Sequence, residues 1–314
     1  MSLKVGVVGG GGFGRGIALA SHRLGNEVTL WTRSDRKVEG TPYGSTSNYA
    51  DLAACELIFI AVPSEHVPSV ADGLCEYVDG RHLLVHVSRG LLGDELETLT
   101  SVLRKRTACR KVGALAGPLV AEELAKGAPG GAIVGSLFPE VSDAVRRAIT
   151  GPAFKIYSTD DVIGVEVASA MVGLLALAAG YAQGLGVGPS ALAVLCTRGI
   201  VEAKRVGLAL GARDQTFVGL AGLGDLLAAA SGDDRPELKL GRALAKGASL
   251  AEAGRAAGAH IEGVTIGRRV MSFAARRSID VPIARTVAAV LDGTLSAEEA
   301  VHALMTRQVL VEQQ

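Results

Sequence analysis

Residues 4–14 read Lys4-Val5-Gly6-Val7-Val8-Gly9-Gly10-Gly11-Gly12-Phe13-Gly14, and this stretch decides the fold. A β-branched run stops at glycine, and an apolar helical pattern from Ile17 to Leu24 follows before Gly25 ends it. Gly9, Gly11 and Gly14 therefore form G-x-G-x-x-G between a strand and a helix, the context in which that spacing means a dinucleotide loop. The first glycine permits a tight turn, the second lets a pyrophosphate approach the backbone, and the third lets helix and strand touch. The start of the helix then offers its N–H groups to the phosphates. A glycine-rich turn without a ligand is the plainer alternative.

Working outward, Glu27 to Thr32, Leu57 to Val62, Leu83 to Val87, Val112 to Ala116 and Ala132 to Gly135 read as further strands, separated by helical patterns such as Ala121 to Lys126. That alternation predicts an α/β fold with a Rossmann-type, doubly wound parallel sheet. After Tyr157 the strand signal fades, and from Val162 onward the chain is rich in Ala, Leu and Gly at helical spacing. The expected division is at Asp160-Asp161, with residues 1–161 forming an NAD(P)-binding domain and 162–314 an all-helical substrate domain. Val167 to Ala182 is strongly apolar but shorter than the roughly 18 to 20 residues a membrane span needs, so a buried helix is expected.

Composition narrows the functional classes. Hydrophobic residues make up 48% of the 314, aromatics only 4%, and there are 41 glycines, so the cores must be built from small aliphatic side chains on closely packed backbones. Lys plus Arg equals Asp plus Glu at 32 each, which leaves no long-range field to gather nucleic acid or anionic lipid. Cys55, Cys75, Cys109 and Cys196 lack ligand spacing and are expected to be reduced and buried. Met1 to Lys4 lead straight into the first strand without a leader pattern, which points to the cytoplasm. The six histidines form no metal pattern; His82 and His86 are four apart on a strand, where that spacing does not converge. No metal is expected.

The end of the second strand reads Trp31-Thr32-Arg33-Ser34-Asp35-Arg36. An NAD enzyme places a carboxylate there for the ribose, whereas a guanidinium can hold a 2′-phosphate through two bonds. Arg33 therefore favours NADP(H) over NAD(H), while Asp35 keeps NAD open.

Several separated stretches, in order, carry a family resemblance: Gly9 to Gly14, Glu27 to Arg33, Ala61-Val62-Pro63-Ser64, Gly117-Pro118, Asp160 to Glu166, Thr197-Arg198-Gly199, Gly219 to Asp225 and Glu262-Gly263-Val264. Together they resemble the NAD(P)-dependent glycerol-3-phosphate dehydrogenases over nearly the whole chain. The resemblance implies a cleft between the two domains and interconversion of dihydroxyacetone phosphate with glycerol 3-phosphate. It implies cofactor contacts at Gly12, Phe13, Arg33, Pro63, Ala121 and Glu262, and substrate contacts at Gly117, Val172, Gly173 and Arg235. Arg89 and Asp225 would be the catalytic pair.

The substrate half departs from the family pattern. Where the family has a lysine after its fourth strand, this chain reads Ser88-Arg89-Gly90, keeping the charge but not the compact ammonium. Where the family has a catalytic lysine and an asparagine, this chain reads Val172-Gly173, which supply neither acid nor dipole for the oxygen that gains charge. Where the family grips phosphate with serine, arginine and asparagine, this chain reads Arg235-Pro236-Glu237. Leu119 replaces a small polar residue. Asp225 matches the family, although it could equally be a helix N-cap. Three readings follow: a glycerol-3-phosphate dehydrogenase relying on Arg89 and Asp225, a reductase of the same architecture for a less anionic carbonyl or imine, or an inactive NAD(P)-binding protein. The Ala- and Gly-rich helices also suit a homodimer interface.

Overall fold

A computed structural model of the chain describes residues 2–33, 41–232, 235–258 and 260–306. Ser34, Asp35 and Arg36, part of the Arg33 loop, lie outside the described residues. Eight strands form one sheet: β1 Lys4–Val8, β2 Glu27–Trp31, β3 Gly44–Thr46, β4 Leu57–Ile60, β5 Leu83–His86, β6 Val112–Ala116, β7 Gly130–Gly135 and β8 Phe154–Thr159. Their order is β3-β2-β1-β4-β5-β6-β7-β8. The order reverses between β1 and β4, so the crevice for a ligand opens beyond their C-terminal ends.

Alternation along the strands explains why both faces are covered. Val5, Val7, Phe59 and Val85 lie on one face with Ile17 of α1 (Gly12–Arg23) and Val145 of α5 (Pro139–Ile149). Val8, Ile58, Ile60 and Leu84 lie on the other with Val70 of α2 (Val67–Leu74) and Leu103 of α3 (Leu99–Arg106). Such strands, buried on both sides, are expected of a doubly wound sheet.

Three details differ from the sequence expectation. β7 runs antiparallel to β6, while β8 is parallel to β7, so the sheet is mixed rather than wholly parallel. The link from β6 to β7 contains only α4 (Ala121–Lys126), a helix of 6 residues. It is about 9 Å long, too short to carry the chain back along a strand, so the strand returns in the opposite sense. β3 and β8 are strands the sequence pattern did not reveal, being held by pairing to β2 and β7. Of the cysteines, Cys55 and Cys109 are buried, but Cys75 is exposed and Cys196 half-buried.

Helices fill the remainder: α6 Val162–Gly184, α7 Pro189–Ala209, α8 Asp225–Ser231, α9 Pro236–Ala245, α10 Leu250–Ala257, α11 Glu262–Arg277, α12 Pro282–Leu291 and α13 Ala297–Met305. The Asp161 carboxylate starts α6 by accepting from Gly164 N at 3.0 Å, and also accepts from Arg213 N at 3.0 Å. α6 is long and apolar enough to cross a membrane, yet 89% of its most apolar window is buried inside the protein. Small residues let α9 come close: a Cβ on Gly180 would strike the Leu238 backbone, and one on Gly241 would strike that of Leu177. Ala114 and Ala116 of β6 belong to the same apolar cluster as α6, so the helical region packs directly on the sheet.

Glu202 of α7 is 1% exposed and accepts from Ile283 N and Ala284 N at 2.8 Å each, capping the first turn of α12 from another helix. Burial pushes its pKa from 4.5 up to about 7, against the two backbone donors that pull it down. The folded state thus binds a proton that the unfolded chain releases earlier, and this contribution, complete below the unfolded value, is lost as pH rises through the folded one. Thermal melts of wild type and Glu202→Gln should therefore show a stability difference that moves against wild type between pH 5 and 8; a difference that moves the other way contradicts the raised pKa.

Candidate active site

The glycine loop is shaped by close approach. Gly9 has φ +123°, and a Cβ there would collide with the Ala61 carbonyl at the end of β4. A Cβ on Gly14 would collide with the Gly9 carbonyl, so the third glycine holds α1 against the turn. Gly11 and Gly12 instead face open space, with nothing within 4 Å of a Cβ on either. No side chain caps α1 and no acidic residue stands in its first turn. A helix start with unclaimed N–H groups beside open space is a fitting cradle for a dinucleotide pyrophosphate.

The other cofactor candidates surround this cradle. Gly9 N donates to Trp31 O at 3.0 Å, and a Cβ on Gly10 would meet Thr32, which places exposed Arg33 one residue beyond the loop's edge. Ala121 starts α4, and its carbonyl lies 2.7 Å from where a Gly16 Cβ would stand, so α4 sits against α1. Phe13 is half-buried and packs on the sheet cluster. Pro63 ends the β4 segment, where its carbonyl accepts from His66 N at 2.9 Å. Glu262, at the start of α11, reaches across from the helical region: its Oε1 accepts from Ser64 N and its Oε2 from Ser64 Oγ, both at 2.5 Å. A Cβ on Gly90 would strike Ser64, so Ser64, Gly90 and Glu262 form one tight junction.

Arg89 follows β5 in the same crevice, because Ser88 Oγ donates to Val62 O at 2.6 Å beside the end of β4. Its guanidinium meets Asp225 at the start of α8: Nη1 lies 3.0 Å from Oδ2, out of line for a hydrogen bond, and Nη2 donates to Oδ1 at 3.5 Å. Arg235 Nη2 donates a short hydrogen bond to the same Oδ1. Asp225 has no exposed surface, and its carboxylate faces two arginines, while Gly224 takes the cap position of α8, which removes the N-cap reading of this residue. Arg89 and Arg235 side chains are 19% and 11% exposed. Burial, then the Arg89 charge, push the Arg235 pKa down, and Asp225 pulls it back. Among the described residues Arg89 Nη1 and Arg235 Nη1 are both buried without an acceptor.

Gly117 has φ +111° and lies against Leu220 O, in the turn just before Asp225. Gly173 lies beneath the Gly263 backbone, with Glu237 Oε1 4.0 Å from where its Cβ would stand. Val172 is completely buried in the helical core, and Leu119 in the sheet core. The structure thus gathers Arg89, Asp225 and Arg235 at one point and keeps Val172 as packing. Three features had no reading in the sequence: the Ser64 to Glu262 bond, the Arg15 Nε bond to Gly10 O at 2.8 Å, and His86 Nε2 paired with buried Glu166 at 2.9 Å. Two of the three, the Ser64 and His86 contacts, link residues far apart in sequence, which no local pattern signals.

Sheet, loop and buried arginine pair together define a dinucleotide-dependent oxidoreductase. The profile of the NAD-dependent glycerol-3-phosphate dehydrogenase C-terminus matches residues 161–302, and that of its N-terminus residues 44–141. The NAD(P)+ glycerol-3-phosphate dehydrogenase of Acidovorax sp. (strain JS42) is 35% identical, over 99% of each chain. That of Fusobacterium nucleatum is 31% identical over 99% of this chain and 98% of its own. The crystal structure of glycerol-3-phosphate dehydrogenase from Coxiella burnetii superposes with TM-score 0.90 at 27% identity, covering 98% of this chain and 99% of that one. The chain belongs to the NAD(P)-dependent glycerol-3-phosphate dehydrogenase family and has that family's use of NAD or NADP.

Asp225→Ala should cost about 3–5 kcal/mol of unfolding free energy, because two buried guanidinium groups lose their shared counter-charge. Urea denaturation measures this, and a loss below about 1 kcal/mol would show that the pair is solvated.

Proposed function

We propose that the protein exchanges hydride between NADP(H) and a ketone and its secondary alcohol, in the manner of dihydroxyacetone phosphate and glycerol 3-phosphate. Residues 1–161 hold the cofactor and residues 162–314 complete the substrate cleft. The supporting observation is the guanidinium of Arg89, fixed by buried Asp225 at the rim of the cofactor crevice. When bound, the nicotinamide supplies or takes the hydride.

This chain's residues act around that transfer. Gly9, Gly11, Gly12 and Gly14 hold the pyrophosphate; Phe13, Pro63, Ala121 and Glu262 border it, and Glu262 ties the helical region to it through Ser64. Arg33 takes the 2′-phosphate and so sets a preference for NADP(H). Gly117, Gly173 and Arg235 line the substrate side. Val172 stands at the family's lysine position and offers no proton. Arg89 stabilises the negative charge that grows on the ketone oxygen. A guanidinium does not give up its proton near neutrality, so the proton completing the alcohol comes from solvent. The second reading, a less anionic carbonyl or imine, is favoured by Val172 and by Glu237 beside Gly173. The similarity to the glycerol-3-phosphate dehydrogenases supports a cytoplasmic protein, the charge balance one without nucleic-acid partners, and the Ala- and Gly-rich helices a homodimer.

NADPH oxidation in the presence of dihydroxyacetone phosphate tests the reaction. Arg89→Ala should lower kcat by about 10²- to 10³-fold, as for loss of one oxyanion donor; unchanged kcat would remove Arg89 from the chemistry. Arg33→Ser should weaken NADPH binding by roughly 10- to 100-fold and leave NADH untouched. Fluorescence titration decides this, and an equal loss for both cofactors would place Arg33 outside the phosphate contact.

A further inference from the structure

Arg15 follows Gly14, the last glycine of the nucleotide loop, in the opening turn of α1, and no step of the proposed transfer uses it. Its side chain does not run along the helix: Nε turns back and donates to Gly10 O at 2.8 Å. Gly10 in turn abuts the end of β2, since a Cβ there would lie 2.7 Å from Thr32 Cγ2, and Arg33 is the next residue. The contact therefore brings the Arg15 guanidinium from α1 to the loop at the rim of β2.

A second observation sets the same direction. Tyr43, just before β3, has its phenol pKa raised by burial and lowered by the charge of Arg15. β3 pairs with the outer edge of β2, so the guanidinium faces the β2 and β3 side of the crevice, away from the strand ends that carry Ser64 and Arg89. In a doubly wound fold the pyrophosphate lies on the glycine loop and the adenosine ribose beside the end of the second strand. Arg15 stands by both positions. Its Nη1 and Nη2 donate to no described residue, and neither Arg15 nor Arg33 meets a carboxylate among the described residues. Both side chains are exposed. Two cations brought to one strand end with no anion to balance them suit a phosphate group, which carries roughly two negative charges.

We propose that Arg15 and Arg33 together grip the 2′-phosphate of NADP(H), Arg33 from the end of β2 and Arg15 from α1. This rests on the NADP(H) preference proposed above and supplies its second residue. The Gly10 carbonyl, by holding Nε, fixes the guanidinium plane in advance and leaves the edge formed by Nη1 and Nη2 for phosphate oxygens. A ribose without the phosphate offers that edge no anion, so Arg15 adds little to the binding of NAD(H).

The test is calorimetric titration of the full-length protein with adenosine 2′,5′-bisphosphate and adenosine 5′-monophosphate, which differ only in the 2′-phosphate and need no turnover. Wild type should bind the bisphosphate more tightly. Arg15→Gln should reduce that preference at least about tenfold, as for loss of a charge-assisted hydrogen bond, and change monophosphate binding by less than about twofold. A thermal melt should match wild type, because the side chain is exposed. A smaller reduction in the preference, or equal losses for both ligands, overturns the proposal, the second outcome leaving Arg15 only the shaping of the glycine loop. Arg33→Ser, titrated alongside, separates the two residues: a preference lost there but kept in Arg15→Gln removes Arg15 alone. Wild type binding both ligands alike would instead refute the NADP(H) preference itself, and the Arg15 site with it.

Discussion

Burying a charge is costly unless a partner accompanies it, and at the centre of this protein three charges depend on one another. Asp225 is fully enclosed, and Arg89 and Arg235 supply the opposite charges that its carboxylate meets. The arginines in turn would repel each other without Asp225. Because Arg89 follows a sheet strand and Asp225 begins a helix 136 residues later, the same interaction joins the nucleotide-binding region to the helical region. The Ser64 to Glu262 bonds make a second crossing nearby. The cleft is defined by these two junctions.

The cofactor side is governed by backbone proximity rather than by charge. Gly9 and Gly14 have no room for a side chain, and Gly11 and Gly12 leave room for a ligand. The helical region follows a similar rule of small residues, since α6 and α9 meet at glycines. A chain with so few aromatic residues obtains its packing by bringing backbones together.

Membership of the glycerol-3-phosphate dehydrogenase family fixes the architecture and the class of cofactor, while the substrate side of this chain carries its own balance of charge. Arginine can orient and polarise an oxygen but is a poor proton donor, and valine is no donor at all. Glu237 adds a carboxylate beside Gly173.

The nucleotide loop was legible in the sequence because its cause is local: strand, glycines and helix lie within a few residues of each other, and their spacing sets the backbone. Long apolar α6 was legible as a buried helix for the same reason, its composition and flanking polar residues being contiguous. The antiparallel turn of β7 was not, since it depends on how far the short α4 can carry the chain. Asp225 could be read as a helix N-cap or as a catalytic residue, and sequence offered no means to choose. Only the tertiary structure removed the first, by setting Gly224 at the cap of α8 and the buried carboxylate between two guanidinium groups. It also brought Glu237 to Gly173, a proximity produced by two helices meeting at glycines and invisible in the linear order of residues.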